Sequence, residues 1–391
     1  MSVRRLAGVP GFAIDEVAAR AGSDPAVLRM ENLDTDLPPP AAALAATRAV
    51  LGSDDANSYL PFTGQLDLCR AVAERLEATT GRPWDPRREV VITAGGTEGM
   101  LDALLATTDP GDEVILTDPT YAGMTNRVRI AGAVPRLVPF RWDGGAWRLD
   151  LDALRLAAGP RTRAVFLMNP SMPSGAVLDP DEWAAIAEVC ARLDCLLLYN
   201  AAMERILFDG RAPFHPATLE PLRERTVVIG SVSKEYRMIG WRIGWVAAPA
   251  AILADIARVH LYNVVTPPGI AQAGAAAALR SGAEDVGLAV REWERRRDAC
   301  CASSRACRRG PRPAAGPCCS MWPSWASTRS PRPRGCWSAD GSRPPRCATG
   351  GKRTATGSFG WCSATNRSLA STAWAPGCAG RSPASCRCPA R

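Results

Sequence analysis

The chain has 391 residues, with 47 Lys and Arg against 39 Asp and Glu, 14 cysteines and two histidines. This length allows two or three domains around a large core and excludes a small protein held together by disulfides. The composition changes near residue 300, because residues 301–391 carry 15 basic residues, one acidic residue and ten of the cysteines. This tail has a net charge of about +14, which masks a net charge of about −6 in the rest of the chain.

No stretch of the sequence is typical of secretion or of membrane insertion. It lacks a charged N-terminal region followed by an apolar segment, and it has no run of 18 apolar residues. We therefore expect a soluble, cytoplasmic protein that does not bind membranes.

The first three hundred residues alternate between two patterns. Residues 1–40 end in three prolines and look like a separate arm. Short runs rich in Val, Ile and Leu predict buried strands at 89–93, 113–117, 164–168, 195–199, 226–230 and 244–248. Apolar residues at helical spacing predict helices at 65–79, 181–193 and 252–262. This alternation predicts an α/β fold with a largely parallel sheet.

Lys234 is one of two lysines in a chain that has 45 arginines. A position that keeps lysine in this background is a candidate for chemistry that arginine cannot perform, such as Schiff-base formation by a neutral amine. The alternative is an ordinary surface cation. Ser231, Ser233 and Arg242 lie close to Lys234 in the sequence, and hydroxyl groups and a guanidinium group around one amine suit a carbonyl cofactor that carries a phosphate.

The segment SVSKEYRMIGWRIGW at residues 231–245 resembles the lysine motif of the class I and II aminotransferases, which are fold-type-I pyridoxal-phosphate enzymes. Other motifs match the family in order over residues 25–300. The resemblance implies pyridoxal 5′-phosphate as cofactor and a large domain whose seven-stranded, mostly parallel sheet is flanked by helices. It divides the chain into an arm or part of a small domain (1–40), the cofactor domain (41–285), the first small-domain helix (286–300) and an aberrant tail (301–391).

The same resemblance assigns roles to the residues around the lysine. Lys234 would form the Schiff base with the cofactor and then move a proton between the substrate and the cofactor. Ser231, Ser233 and Arg242 would hold the phosphate. No metal site is expected.

The turn formed by Gly95, Gly96 and Thr97 follows a predicted strand and opens a predicted helix. Such a turn directs free backbone N–H groups and the helix dipole at an anion, although many plain strand-to-helix connections look the same. Its position matches the phosphate-binding turn of the family, so we expect these three residues to bind the cofactor phosphate.

Three further residues match positions that contact the cofactor in the family. Tyr121 would stack on the pyridine ring, unless it is a core tyrosine. Asn169, in the segment NPSMPSG, would donate a hydrogen bond to the phenolic oxygen of the cofactor. Tyr59 would reach the phosphate of the partner subunit, which implies a homodimer.

Two positions in the predicted cofactor site depart from the family pattern. The family has Asp-Glu-x-Tyr before a segment that ends in Phe-Asp-Gly, and here Asn200 takes the place of the aspartate and Met203 that of the tyrosine. The aspartate normally keeps the pyridine nitrogen protonated, which a neutral amide cannot do. We therefore expect Asn200 to contact the cofactor without supplying the negative charge of the aspartate. We also expect slower transamination.

The tail does not read as a functional module. Its cysteines lack the paired spacing and the histidines of a zinc site, and its scattered Pro, Gly and Ser define no element that could enter a nucleic-acid groove. The composition is typical of a GC-rich gene read out of frame, and residues 358–371 re-read in a displaced frame as LRLVFSNEPVARL, which resembles the family strand that carries the substrate-carboxylate arginine. We expect a poorly ordered tail that disrupts the small domain.

The sequence therefore predicts a pyridoxal-phosphate-dependent aminotransferase that acts on an amino acid and a 2-oxo acid. One alternative keeps the cofactor but gives cyclisation, elimination or oxidation, because residues 32–40 and 54–64 look similar to capreomycidine synthases and arginine oxidases. A second alternative is a cofactor-binding protein with little or no catalysis. The sequence does not identify the substrate side chain.

Overall fold

The fold is seen in a computed structural model that describes residues 3–11, 19 and 34–303. Most of the predicted arm and the predicted poor order of the tail lie outside these residues. Residues 301–303 belong to a helix, Gly269–Ser303, that runs without interruption through the predicted boundaries at 285 and 300. The division into domains therefore stays a prediction.

One sheet of eight strands has the order β1-β8-β7-β6-β5-β2-β3-β4. The strands are β1 (Val90–Thr93), β2 (Glu113–Asp118), β3 (Val134–Trp142), β4 (Trp147–Leu149), β5 (Thr162–Met168), β6 (Leu196–Asn200), β7 (Thr226–Ser231) and β8 (Gly244–Ala247). Strands β3, β2, β5, β6 and β7 pair in parallel, and β8 is antiparallel to both β7 and β1. The α/β class and all six predicted strands are confirmed.

The strand count differs from the expected seven because of a hairpin at one edge. Strand β4 pairs antiparallel with the end of β3 through Phe140, Arg141 and Trp142. Neither strand is conspicuous in the sequence, since β3 contains Pro135 and Pro139 and seven of its nine residues are not buried. Proline is tolerated at this sheet edge, where backbone N–H groups need no partner.

The helices pack on both faces of the sheet. They are α1 (Ala41–Ala49), α2 (Leu66–Thr80), α3 (Gly96–Thr107), α4 (Ala122–Ile130), α5 (Leu151–Ala157), α6 (Pro180–Leu193), α7 (Glu220–Arg223), α8 (Ala250–Asn263) and α9 (Gly269–Ser303). Helices α3, α4 and α8 share one apolar core with one face, and α2, α5, α6 and α9 share another core with the opposite face. Within the described residues, no helix has the length and apolar character needed to cross a membrane.

Local sequence signals explain individual helix starts. Helix α6 begins at Pro180, directly after Asp179. The Asp179 side chain accepts a hydrogen bond from the backbone N–H of Glu182, and the Glu182 side chain accepts one from the backbone N–H of Asp179. This capping box satisfies backbone donors that a helix start otherwise leaves without partners.

The carboxyl ends of six strands, including β3, which is parallel to β2, lie on the same side of the sheet. Strands β2, β5, β6 and β7 are mutually parallel, and β1 has the same direction as β7 because both are antiparallel to β8. In open α/β sheets, ligands bind at this edge. The residues that follow these strands therefore decide the chemistry.

Candidate functional site

The first part of the site is the turn between β1 and α3. Gly95 precedes the helix with φ of 79°, a left-handed backbone conformation that side chains other than glycine rarely adopt. A Cβ atom at Gly95 would lie 2.6 Å from Nη2 of Arg242, and a Cβ atom at Gly244 would collide with the backbone N of Gly96. These glycines let the first turn of α3 approach the Arg242 guanidinium group closely.

Two serine hydroxyls complete this cradle. Ser231 ends β7, and its Oγ accepts a hydrogen bond from the backbone N–H of Ser233 at 3.0 Å and lies 2.8 Å from Ser233 Oγ. The position of a Cβ atom on Gly96 is 3.6 Å from Cβ of Ser231. Helix N–H groups, two hydroxyls and the Arg242 guanidinium thus converge, as anion binding requires. We refer to Gly95, Gly96, Ser231, Ser233 and Arg242 as the anion cradle.

Lys234 follows the cradle serines and is largely buried. Burial lowers the pKa of its amine to about 8, the nearby Arg242 guanidinium contributes in the same direction, and Asp34 opposes both. An amine with this pKa has a substantial neutral fraction near neutral pH. Lys234 can therefore act as a nucleophile toward a carbonyl and as a base.

Asn169 lies directly after β5, with its side chain fixed by the backbone. Its Oδ1 accepts a hydrogen bond from the N–H of Leu178 at 2.9 Å, and Tyr199 donates its hydroxyl to the Asn169 carbonyl oxygen at 3.2 Å. Because the acceptor atom is engaged, Nδ2 is left as the donor for a ligand oxygen at this edge.

Asn200 ends β6 and is buried in an apolar environment. Its Oδ1 accepts from the N–H of Ala202 at 3.2 Å, and its Nδ2 lies 3.5 Å from Sδ of Met100. Met203 packs in the same core. The preceding residue, Tyr199, packs on the opposite face of the sheet. The strand alternation therefore favours Asn200 as the residue at the family aspartate position, and a neutral amide stands there.

Tyr121 precedes α4 and lies over Gly123, since a Cβ atom on Gly123 would be 2.7 Å from the Tyr121 hydroxyl oxygen. Thr97 is exposed in the first turn of α3. Arg127 joins these two residues: its Nε donates to the Thr97 carbonyl oxygen at 2.9 Å, its Nη1 donates to the Gly123 carbonyl oxygen at 2.7 Å, and it hydrogen bonds to Tyr121. Burial lowers the Arg127 pKa, and Tyr121 partly opposes this shift.

Arg127 is a positioning residue that the sequence did not single out. It connects the cradle helix to the tyrosine predicted to stack on the cofactor. It is one of 45 arginines and belongs to none of the cofactor-binding motifs. Only its contacts in the folded protein distinguish it from the other arginines.

Tyr59 is not enclosed with these residues. Its side chain is 86% exposed on the segment before α2. An exposed aromatic residue of this kind is compatible with a contact to a second subunit, and that contact stays a prediction.

The fold and the residues at the carboxyl ends of these strands define the class of protein as a fold-type-I α/β protein with a partly buried lysine next to an anion cradle. The sequence profile of the family described as aminotransferase class I and II matches residues 29–310. The chain belongs to this family, whose members use pyridoxal 5′-phosphate.

Individual relatives support this assignment. The chain is 35% identical over 262 residues to a probable N-succinyldiaminopimelate aminotransferase of Mycobacterium tuberculosis, a match that covers 67% of this chain and 66% of that protein. It is 31% identical over 301 residues to an arginine–pyruvate transaminase of Pseudomonas aeruginosa, covering 75% of each. The chain thus spans just under two thirds of the first of these relatives.

A solved structure gives the same result at the level of the fold. The N-succinyldiaminopimelate aminotransferase structure from Mycobacterium tuberculosis superposes with a TM-score of 0.72 and 32% identity, covering 77% of this chain and 78% of that one.

Proposed function

We propose that this chain is a pyridoxal-phosphate-dependent aminotransferase that moves an amino group between an amino acid and a 2-oxo acid. The observation that carries the proposal is the position of the Lys234 amine, with its pKa of about 8, next to the anion cradle. The relatives named above are transaminases, so the comparisons do not favour the cyclase, lyase or oxidase alternative.

The residues present fit the cofactor. The space that a Cβ atom on Gly95 or Gly244 would fill is bounded by helix N–H groups and a guanidinium group, a donor set suited to a phosphate dianion. Asn169 Nδ2 would donate to the phenolic oxygen, and Tyr121 would stack on the ring. When bound, the cofactor supplies a carbonyl for amine attack and a conjugated ring that accepts electrons.

The remaining chemistry belongs to the protein. The neutral Lys234 Nζ would act as the nucleophile toward the cofactor carbonyl and, as a base, would move a proton at the substrate carbon. The cradle fixes the phosphate end, so the reacting atoms keep one orientation relative to Nζ. Asn200 is a neutral amide and would supply no negative charge beside the cofactor ring, so the ring would withdraw electrons less strongly.

Asn200 also favours a second candidate, a cofactor-binding protein with little catalysis. The buried amide lies against Sδ of Met100, where a carboxylate would be expected. The two candidates share the cofactor and differ in turnover.

We also propose the assembly and location that the family suggests. The enzyme is a cytoplasmic homodimer in which Tyr59 reaches the partner's anion cradle, and residues 41–285 form the cofactor domain. The family match ends at residue 310, close to the change in composition. This agreement supports a reading-frame shift near residue 300, which the nucleotide sequence would test.

The experiment compares the full chain with Lys234→Ala and with Lys234→Arg, which keeps the positive charge. We expect visible absorbance of the lysine-bound cofactor only in the wild-type protein, and amino-group transfer from an amino-acid panel to pyruvate or 2-oxoglutarate only there. Cofactor absorbance without transfer would support the second candidate. Equal absorbance in all three proteins would contradict both.

A further inference from the structure

Three buried titratable side chains lie together between α3 and α8, outside the cradle itself. Glu98 is in the first turn of α3, Asp102 is one turn further along, and His260 faces them from α8. Their exposed fractions are 8%, 0% and 1%. Charged groups are rarely buried this completely without a specific arrangement.

His260 makes a hydrogen bond through each ring nitrogen. Its Nε2 lies 3.0 Å from the carbonyl oxygen of Phe62, and its Nδ1 lies 2.6 Å from Oε1 of Glu98. A carbonyl oxygen only accepts, so Nε2 carries a hydrogen and donates it. The imidazole therefore bridges the loop before α2 and the first turn of α3.

Both ends of this bridge lead to residues of the proposed cofactor site. The other carboxylate oxygen of Glu98 accepts a hydrogen bond from the N–H of Ala94, the residue before Gly95 of the anion cradle. Phe62 lies three residues after Tyr59, and the next residue of the same loop, Thr63, accepts a hydrogen bond from Ile92 N–H at 2.9 Å. One imidazole thus holds the cradle turn and the Tyr59 loop in a fixed relation.

The arrangement is a hydrogen-bonded network rather than a cage for a metal ion. The ligand atoms of the three residues lie within 4.8 Å of one another. However, the 2.6 Å separation between Nδ1 and Oε1 is that of a direct charge-assisted hydrogen bond, and two ligands at about 2.0 Å from one ion stand further apart than this. A core histidine with a purely structural role is the remaining alternative.

We propose that His260 is a positioning residue that couples the anion cradle of its own subunit to the loop whose Tyr59 reaches the partner's cradle. Phosphate bound in one cradle orders Ala94, Glu98 and His260, and through Phe62 it orders the Tyr59 loop presented to the other subunit. The two cofactor sites of the dimer then favour each other's occupancy. This proposal rests on the proposed cofactor binding and homodimer.

The remaining contacts of the cluster hold the bridge in place. Asn263 donates to Oδ1 of Asp102 at 2.9 Å, and Oδ2 of Asp102 is 3.8 Å from His260 Nδ1. Oδ2 is buried and has no hydrogen-bond partner among the described residues other than the neighbouring Glu98 carboxyl group. The imidazole is therefore enclosed by oxygen atoms on its Nδ1 side.

The test is a double-mutant cycle on cofactor affinity in the full chain. Tyr59→Phe removes the hydroxyl that would reach the partner's phosphate. His260→Gln can keep the donor to Phe62, and His260→Asn can keep the donor to Glu98, so each variant preserves one half of the bridge. The dissociation constant of pyridoxal phosphate is measured by absorbance titration, that of inorganic phosphate by competition, and dimerisation by sedimentation.

We expect Tyr59→Phe to weaken cofactor binding about tenfold in the wild-type background, as for loss of a hydrogen bond to a charged group. In either His260 background, the same change should weaken binding less than about twofold, because the imidazole no longer connects the Tyr59 loop to the cradle turn. His260→Gln and His260→Asn should keep the wild-type melting temperature within a few degrees. Glu98→Gln offers a third background if either variant fails to fold.

Equal factors in the wild-type and His260 backgrounds would overturn the coupling and leave a structural histidine. A dimer that binds the cofactor but is insensitive to Tyr59→Phe would overturn it as well. In both cases the aminotransferase proposal stands. A wild-type chain that binds no pyridoxal phosphate would instead remove the proposed function on which the coupling rests.

Discussion

Each face of the sheet buries a cluster of charged side chains, and the two clusters differ in charge balance. Beneath α3 and α8, the carboxyl groups of Glu98 and Asp102 meet His260, which carries a positive charge only when it is protonated. On the opposite face, behind Lys234, two glutamates meet two arginines. The first cluster contains Asp102, whose pKa of about 8 allows a change of charge near neutral pH, whereas the two arginines of the second cluster stay protonated.

The second cluster, which we call the balanced cluster because its arginines match its glutamates in number, connects the segment around Lys234 to the loop after β6. Arg75 of α2 forms ion pairs with Glu204 at 2.8 Å and with Glu235 at 2.9 Å, and Arg205 pairs with Glu235 at 2.9 Å. Both arginines donate to the hydroxyl of Tyr236 at 2.8 Å. Burial opposes ionisation of Glu235, but Arg75 and Arg205 more than offset it and lower its pKa.

The two clusters hold different parts of the site in place. Glu235 and Tyr236 directly follow Lys234, so this network of ion pairs and hydrogen bonds holds the backbone next to the lysine. The α3 cluster lies under the anion cradle and has an excess of carboxyl groups. Burial, followed by the hydrogen bond and charge of Glu98, raises the pKa of Asp102 to about 8.

The largest expected effect comes from removing a cation from the balanced cluster. Arg75→Met leaves Glu204 and Glu235 buried with one partner fewer, and breaking a buried ion pair costs about 3–5 kcal/mol. Urea denaturation should show this loss in the free energy of unfolding. Arg280→Met is the control, because its pair with Asp67 is exposed and should contribute at most about 1 kcal/mol. Equal losses in both variants would remove the distinction between the clusters.

The second largest effect comes from adding a carboxylate to the face of the sheet that carries α3, where carboxyl groups are already in excess. Asn200→Asp restores the negative charge expected near the ring nitrogen, and we expect the single-turnover rate with an amino acid to rise about tenfold, or about 1.4 kcal/mol of barrier. Stopped-flow absorbance measures this rate. An unchanged rate would sink the idea that Asn200 limits the reaction. Asn169→Asp serves as the control, since it should not accelerate the reaction.

A smaller effect distinguishes the role of Gly95 in phosphate binding from the cost of placing alanine at a glycine with positive φ. Gly95 and Gly81 both have positive φ, 79° and 68°, but a Cβ atom meets Arg242 only at Gly95 and meets nothing within 4 Å at Gly81. Alanine at either position should cost about 1–2 kcal/mol of stability. Only Gly95→Ala should also weaken phosphate binding, by severalfold in a calorimetric titration. Weakened binding in Gly81→Ala would indicate a general loss of structure instead.

The smallest effect is a pH dependence that belongs to Asp102. The groups facing its carboxyl are Glu98 on the same helix and His260 and Asn263 on α8. Its folded pKa of about 8 lies above the unfolded value of about 3.9, so the folded state binds the proton more tightly. The associated stability is complete below pH 4 and is lost as the pH rises through 8.

Asp102→Asn should therefore flatten the fall in melting temperature between pH 7.5 and 9. The expected difference is about 2–4 °C for a chain of this size, which corresponds to about 1 kcal/mol. Asp152→Asn, which alters a side chain that is 99% exposed, should leave the wild-type profile unchanged. A wild-type profile that persists in Asp102→Asn would assign the pH dependence to another group.

Some strands of the sheet could be predicted from the sequence, and others could not. The six buried strands were predictable because residues enclosed on both faces of a parallel sheet form short, continuous apolar runs. Strand β3 was not, because Pro135 and Pro139 and its half-exposed pattern resemble a loop. The cradle residues Gly95, Ser231 and Arg242 were predictable from motifs, and the structure brings them together as expected.

The family, the candidate lysine Lys234 and the neutral Asn200 could all be recognised from the sequence, since each depends on a local feature of a strand or turn. Only the tertiary structure decided the partners. Glu98 and His260 are 162 residues apart and Arg75 and Glu204 are 129 residues apart, and they meet because helices pack on the sheet. The pKa values of Lys234 and Asp102 follow from the same packing, because burial and neighbouring charge, rather than residue type, set the proton affinity of a side chain.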